Sequence, residues 1–99
     1  MARFDVFRLK KGGSLVVDCQ AELLENLKTR VVIPLFEESE APKPARNLNP
    51  VFEIEDARFV LMTQFLAAIE TREFGKKVGS LESDGRAVLN ALDFLLTGV

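Results

Sequence analysis

Arg3-Phe4-Asp5-Val6-Phe7-Arg8-Leu9-Lys10-Lys11-Gly12-Gly13-Ser14-Leu15-Val16-Val17-Asp18-Cys19 reads as two strands joined by a tight turn. From Arg3 to Leu9 polar and apolar residues alternate. Phe4, Val6 and Leu9 fall across from Asp5 and Arg8, the period of a half-buried strand. Lys10-Lys11-Gly12-Gly13 reverses the chain, because glycine accepts a positive φ without steric cost. Ser14 to Cys19 then returns as the partner strand. A hairpin of this kind commits the domain to antiparallel sheet.

The segments that follow extend the same pattern. Glu22-Leu23-Leu24-Glu25-Asn26-Leu27 is too short to assign and reads as one helical turn or an irregular loop, with Leu23 and Leu24 on different sides. Thr29 to Phe36 is a β-branched strand in which Pro34 is expected to put the late part on an edge or a bulge. Residues 37–47 form a polar, proline-bearing loop. Pro50 to Glu55 and Ala57 to Thr63 flank Glu55-Asp56 as a second hairpin, and Gln64 to Ile69 adds another extended segment. Gly75 and Gly79 punctuate the stretch before a C-terminal helix, which Ser80 or Ser83 can cap, with Glu82 and Asp84 near its positive end. No internal repeat occurs. The expectation is one domain over residues 1–99, mainly β (α+β), closed by one C-terminal α-helix.

That helix is unusually apolar. At about 100° per residue, Val88, Ala91, Leu92, Leu95 and Val99 cluster on one side, Leu89 and Leu96 widen one flank, and Phe94 widens the other. Arg86, Asn90, Asp93 and Thr97 form the polar stripe. The apolar arc spans roughly 220°, about twice what one packing surface needs. Such a helix either lies deep in its own core or offers a second face to another molecule.

Composition narrows the chemistry. The net charge of −2 supplies no global positive field for nucleic acid, so a protein or a small molecule is the expected partner. Arg8 with Lys10-Lys11, Lys76-Lys77 and Arg30 each read as solvated turns rather than as a phosphate cradle. Histidine is absent, which removes the Ser-His and Cys-His arrangements and most zinc sites. No P-loop, dinucleotide fingerprint, CxxC or EF-hand spacing is present. Glu53, Glu55 and Asp56 read as a solvated hairpin tip. No catalytic residue, metal or cofactor is expected. The single cysteine, Cys19, reads as a small buried filler, in keeping with a reducing cytoplasm. No apolar run approaches the roughly eighteen residues that span a bilayer, so a cytoplasmic protein without a membrane partner is expected.

The order of motifs resembles the CcdB toxins of plasmid and chromosomal toxin–antitoxin modules. Phe4-Asp5-Val6-Phe7, Val17-Asp18-Cys19-Gln20, Arg30-Val31-Val32-Ile33-Pro34-Leu35, Leu48-Asn49-Pro50-Val51 with Ile54, and Met62-Thr63 carry the resemblance. Gly75, Val78, Leu81, Asn90, Ala91 and Gly98 continue it. It implies a small SH3-like barrel of antiparallel strands (CcdB/PemK-like) with a C-terminal helix, acting as a homodimer. It further implies a bacterial, non-enzymatic inhibitor of a type II topoisomerase, which binds the DNA gyrase A subunit and traps the cleaved DNA complex. A CcdA-like antitoxin neutralises such a toxin, and the pair represses its own operon, so DNA is met only through antitoxin or gyrase. The gyrase-contacting positions of the family fall on Leu23, Leu24, Asp93, Leu96, Thr97, Gly98 and Val99. A Val99 carboxylate meeting a partner cation is a further expectation.

The chain departs from the family's poisons at Leu96 and Asp93, and above all at Thr97, at the centre of that surface. Well-studied gyrase poisons of the family carry tryptophan where this chain has Thr97. A large ring stacking on a guanidinium or filling a pocket is worth about 2 kcal/mol or more at a hot spot; threonine does neither. Either the target surface has changed to match, or the toxin is weak, retargeted or inert, retained only as an antitoxin-binding module. A sequence-specific endoribonuclease of the same fold is the other alternative. It needs Arg30 with an acid, or Arg58 with Thr63, converging in a groove.

Overall fold

The computed structural model describes residues 2–98. Among the described residues are seven strands: β1 (Asp5–Leu9), β2 (Leu15–Asp18), β3 (Thr29–Glu37), β4 (Val51–Ile54), β5 (Ala57–Leu61), β6 (Ala67–Glu70) and β7 (Phe74–Ser80). They form one antiparallel sheet in the order β4-β5-β3-β2-β1-β7, with β6 paired to β3. A single α-helix, α1 (Gly85–Thr97), follows. Both expected hairpins are present. Gly12 and Gly13 turn the first with φ of 84° and 71°, and Glu55 and Asp56 turn the second with φ of 51° and 64°.

Strand β3 is the spine. Its Leu15-facing side pairs with β2, while its other side pairs first with β6 over Thr29 to Val32 and then with β5 over Leu35 to Glu37. Pro34 therefore does not put the strand on an edge, contrary to the sequence expectation. In an antiparallel strand the N–H and C=O of one residue point to the same neighbour. The Pro34 carbonyl accepts the Met62 N–H at 3.0 Å, so its ring nitrogen faces the gap where β6 has ended and β5 has not begun. No donor is needed there.

Two further expectations are corrected by tertiary contact. Gln64 and Phe65 belong to a 3-10 turn, Thr63–Phe65, and the extended segment begins only at Ala67. Gly75 and Gly79 do not merely punctuate a connection: they lie within β7, which pairs with β1 through two register shifts. A Cβ at Gly75 would stand 2.6 Å from the Arg8 carbonyl oxygen, so glycine permits the close approach of the two backbones. Asp5 is also buried rather than facing water, and Leu9 packs with Phe7 on the face opposite Phe4 and Val6 rather than beside them, because strand alternation has period two and the sheet is covered on both faces. One cluster gathers Val6, Val17, Ile33, Leu61 and Val88 beneath α1; the other gathers Phe7, Val16, Val32 and Phe74 on the opposite face. The Asp5 carboxylate is met there by the Ala2 N–H at 2.9 Å and by Lys77 Nζ at 3.3 Å.

The entry to α1 differs from the expected serine cap. The Ser80 hydroxyl accepts the Glu82 N–H at 3.1 Å, and neither Ser80 nor Ser83 caps the helix by a side-chain bond. A 3-10 turn over Glu82–Asp84 runs straight into α1, and the Gly85 N–H bonds back to the Glu82 carbonyl. The leading donors are thus satisfied within the chain path itself.

Candidate protein-binding surface

Helix α1 commits only part of its apolar arc to the core. Val88 and Ala91 are buried, Ala87 and Leu92 pack partly against the same cluster, and Leu89, Phe94 and Leu95 are half-buried. Leu96 is 70% exposed. The second apolar face suggested by the sequence is therefore open in the single chain. Gly98, at φ 78°, closes the helix in the left-handed region and donates its N–H to the Phe94 carbonyl at 2.9 Å. The Thr97 hydroxyl donates back to the Asp93 carbonyl at 2.6 Å. No basic residue occupies the last turn, so the negative pole of the helix is uncompensated from within that turn.

Asp93 and Gly98 share the wall of an open groove of about 800 Å³, together with Asn90 and Phe94; Pro44, Arg46 and Pro50 form the opposite wall. Leu96 and Thr97 lie at the same helix end but outside the groove lining. Leu23 and Leu24 sit elsewhere, on the loop joining β2 to β3, where a 3-10 turn (Glu22–Leu24) buries no residue. Leu23 is 96% exposed, and the neighbouring Leu24 and Leu27 are about half exposed. Val99 lies outside the described residues. The expected contact set thus divides into a leucine loop and a helix end, both on the surface. The sequence reading missed Phe36 and Phe65, whose partly exposed rings stand 6.1 Å apart. Strand spacing alone carries no signal for that pair, because Phe65 reaches Phe36 only through the 3-10 turn.

The residues required for phosphodiester chemistry are engaged otherwise. Arg30 is not the solvated turn residue expected from the sequence: it lies within β3 and is 1% exposed, with Nε donating to Asp18 Oδ2 at 2.9 Å and Nη2 lying 2.8 Å from the same oxygen. Thr63 is fully buried and its hydroxyl donates to the Leu48 carbonyl at 2.6 Å. Arg58 stands on the surface in a two-pronged contact with Glu38, at 2.8 and 3.2 Å. Its hydrogen bonds hold the Glu38 carboxyl below its ordinary range. Neither arrangement leaves an arginine and an acid or hydroxyl open to a substrate.

Cys19 is the buried filler the sequence suggests. Burial, and secondarily the Asp18 charge, push its thiol from the usual 9.0 up to about 12. The protonated thiol is thus the form the fold favours. That contribution to stability is complete below about pH 9 and declines as pH rises towards 12. We expect the native protein to resist thiol-specific alkylation at pH 8 while the denatured chain reacts within the mixing time. Rapid labelling of the native form, followed by mass spectrometry, would contradict this environment.

The class is defined by these features: a mainly β domain in which a curled antiparallel half-barrel, of the SH3-like kind, carries one C-terminal helix with an accessible apolar end. The family model described as CcdB protein matches residues 3–98, and the chain belongs to the CcdB family. Membership supports a role as the toxin of a toxin–antitoxin pair. No described helix is long and apolar enough to cross a membrane.

Proposed function

We propose that this single-domain chain is a non-enzymatic, gyrase-directed toxin that acts in the bacterial cytoplasm as a homodimer. It binds the DNA gyrase A subunit through the end of α1 and the Leu23–Leu24 loop, and it stabilises the cleaved DNA complex. A CcdA-like antitoxin holds it in check, and the two together repress their operon. One observation carries the reading: Leu96, a large apolar side chain in the last turn of α1, is 70% exposed, whereas Val88 and Ala91 earlier in the same helix are buried. Exposed anchors of this kind at a helix end suit protein recognition, where a few apolar side chains supply most of the binding energy.

Asp93, Thr97, Gly98 and Val99 complete the proposed contact around Leu96. Thr97 gives its hydroxyl proton to the helix backbone, leaving a methyl and an acceptor oxygen to present to a partner. Relative to a tryptophan at that place, a loss of about 2–4 kcal/mol corresponds to about 30- to 1000-fold weaker binding. The other contacts must compensate, or the toxin is a mild one. Induction of the chain in cells without its antitoxin, followed by an assay for DNA breaks that depend on gyrase, tests the proposal. Breaks that disappear with a gyrase allele altered at the A-subunit dimerisation region are the expected result; growth arrest without breaks overturns it.

A further inference from the structure

The loop that presents Leu23 and Leu24 has no anchor in either core. Residues 22–29 are all exposed, and Ala21 is only half-buried. Within the loop, the Leu24, Glu25 and Leu27 N–H groups bond only to the carbonyls of Ala21, Glu22 and Leu24. The hydrophobic effect therefore gives this segment no preferred shape. What does hold it is polar, and it sits at the neck where β2 hands over to β3.

Gln20, 9% exposed, spans that neck. Its side-chain amide donates to the Leu24 carbonyl at 3.2 Å and to the Thr29 carbonyl at 3.0 Å, and its Oε1 accepts the Val31 N–H at 3.0 Å. Both amide hydrogens are used, one on each side of the loop. Gln20 is itself held by the buried ion pair: its N–H donates to Asp18 Oδ1 at 3.1 Å, and its carbonyl accepts Arg30 Nη2 at 3.3 Å. Antiparallel register explains the spacing, since Asp18 pairs with Val32 and alternation places Arg30 on the same face. Val17-Asp18-Cys19-Gln20 and the arginine that opens Arg30-Val31-Val32 are thus two halves of one device.

We propose that Gln20, backed by Asp18 and Arg30, is a positioning residue that clamps the β2–β3 loop and so presents Leu23 and Leu24 to the partner. The inference rests on the reading that these leucines touch gyrase. It adds that their presentation is set by hydrogen bonds at the loop neck rather than by packing. If loosening leaves the presenting conformation populated about one tenth of the time, apparent affinity falls about tenfold with the contacting side chains unchanged.

The test uses full-length protein and purified gyrase A subunit as the probe. Gln20→Met keeps length and burial but has no amide; Gln20→Glu, measured alongside, keeps the acceptor and loses both donors. Both are compared with the double variant Leu23→Asp/Leu24→Asp, at a temperature where every variant is folded. We expect amide exchange at Leu24, Glu25 and Leu27, the bonded N–H groups of the loop, to rise at least about tenfold, the β2–β3 ladder from Val32 to Leu35 to keep its protection, and gyrase affinity to fall about tenfold. Wild-type affinity in the Gln20 variants, with binding lost in the leucine variant, overturns the positioning role alone. Unchanged exchange at Leu24, Glu25 and Leu27 overturns it whatever the partner. Binding indifferent to the leucine variant overturns the underlying reading and the inference with it.

Discussion

Arg30→Met is expected to lower the unfolding free energy by about 3–5 kcal/mol, because it strands a carboxylate that has no access to water. Asp18 is fully buried, and the guanidinium of Arg30 supplies two of its closest contacts. Removing the cation leaves the carboxylate buried without a counter-charge, with the Gln20 N–H as its remaining donor, and that costs stability. For a domain of this size each kcal/mol shifts the melting temperature by about 4–8 °C, so a fall of at least about 12 °C should appear in a thermal melt followed by circular dichroism. Asp18→Leu combined with Arg30→Met should recover part of the loss, since the stranded charge is removed while the Gln20 N–H and carbonyl lose their buried partners. A double variant no more stable than the single one would show that packing around Arg30, not its charge, is what matters.

The second large effect concerns binding rather than folding. Leu96→Asp should leave stability within about 0.5 kcal/mol, as expected for a surface position, because Leu96 is 70% exposed. Gyrase binding should nevertheless weaken by at least about 30-fold, the equivalent of about 2 kcal/mol at a hot spot. The charge also lies near the negative pole of α1, where it is disfavoured. Removal of Thr97 to Val99 should go further and abolish growth arrest while antitoxin binding persists. Thr97→Trp should act in the opposite sense if the matching pocket on gyrase remains. Titration of purified variants against the gyrase A subunit, with growth measured at equal protein levels, reads all three. Undiminished growth arrest by Leu96→Asp would place the contact surface elsewhere on the molecule.

Both predictions turn on residues that the sequence marks unequally. Leu96 is conspicuous from helical spacing alone, because it widens an apolar arc already larger than one packing face requires. Arg30 is not. In isolation it is one basic residue before a β-branched strand and reads as solvated, with a catalytic role as the alternative. Only the pairing of β2 with β3 brings it to Asp18 and shows its charge to be spent inside the protein.

The same division runs through the fold. Local regularities are legible in the chain: alternation and glycine-rich turns specify the first hairpin, Glu55-Asp56 specifies the second, and the 3.6-residue period specifies α1. These features are decided by neighbours a few residues away, which is why residue order suffices to find them. Strand β7 has no such signature, since Phe74-Gly75-Lys76-Lys77-Val78-Gly79-Ser80 neither alternates cleanly nor favours extension. It becomes a strand because β1 offers an unpaired edge and Gly75 allows the backbones to close. Pro34 likewise sits inside the sheet only because two different strands share one side of β3. Exposure of the leucine loop and of the helix end, burial of Arg30 and Asp5, and the clamp at Gln20 all depend on segments far apart in the chain. Long-range pairing decides them, and a linear pattern holds no record of which distant group will satisfy a given donor or cover a given face.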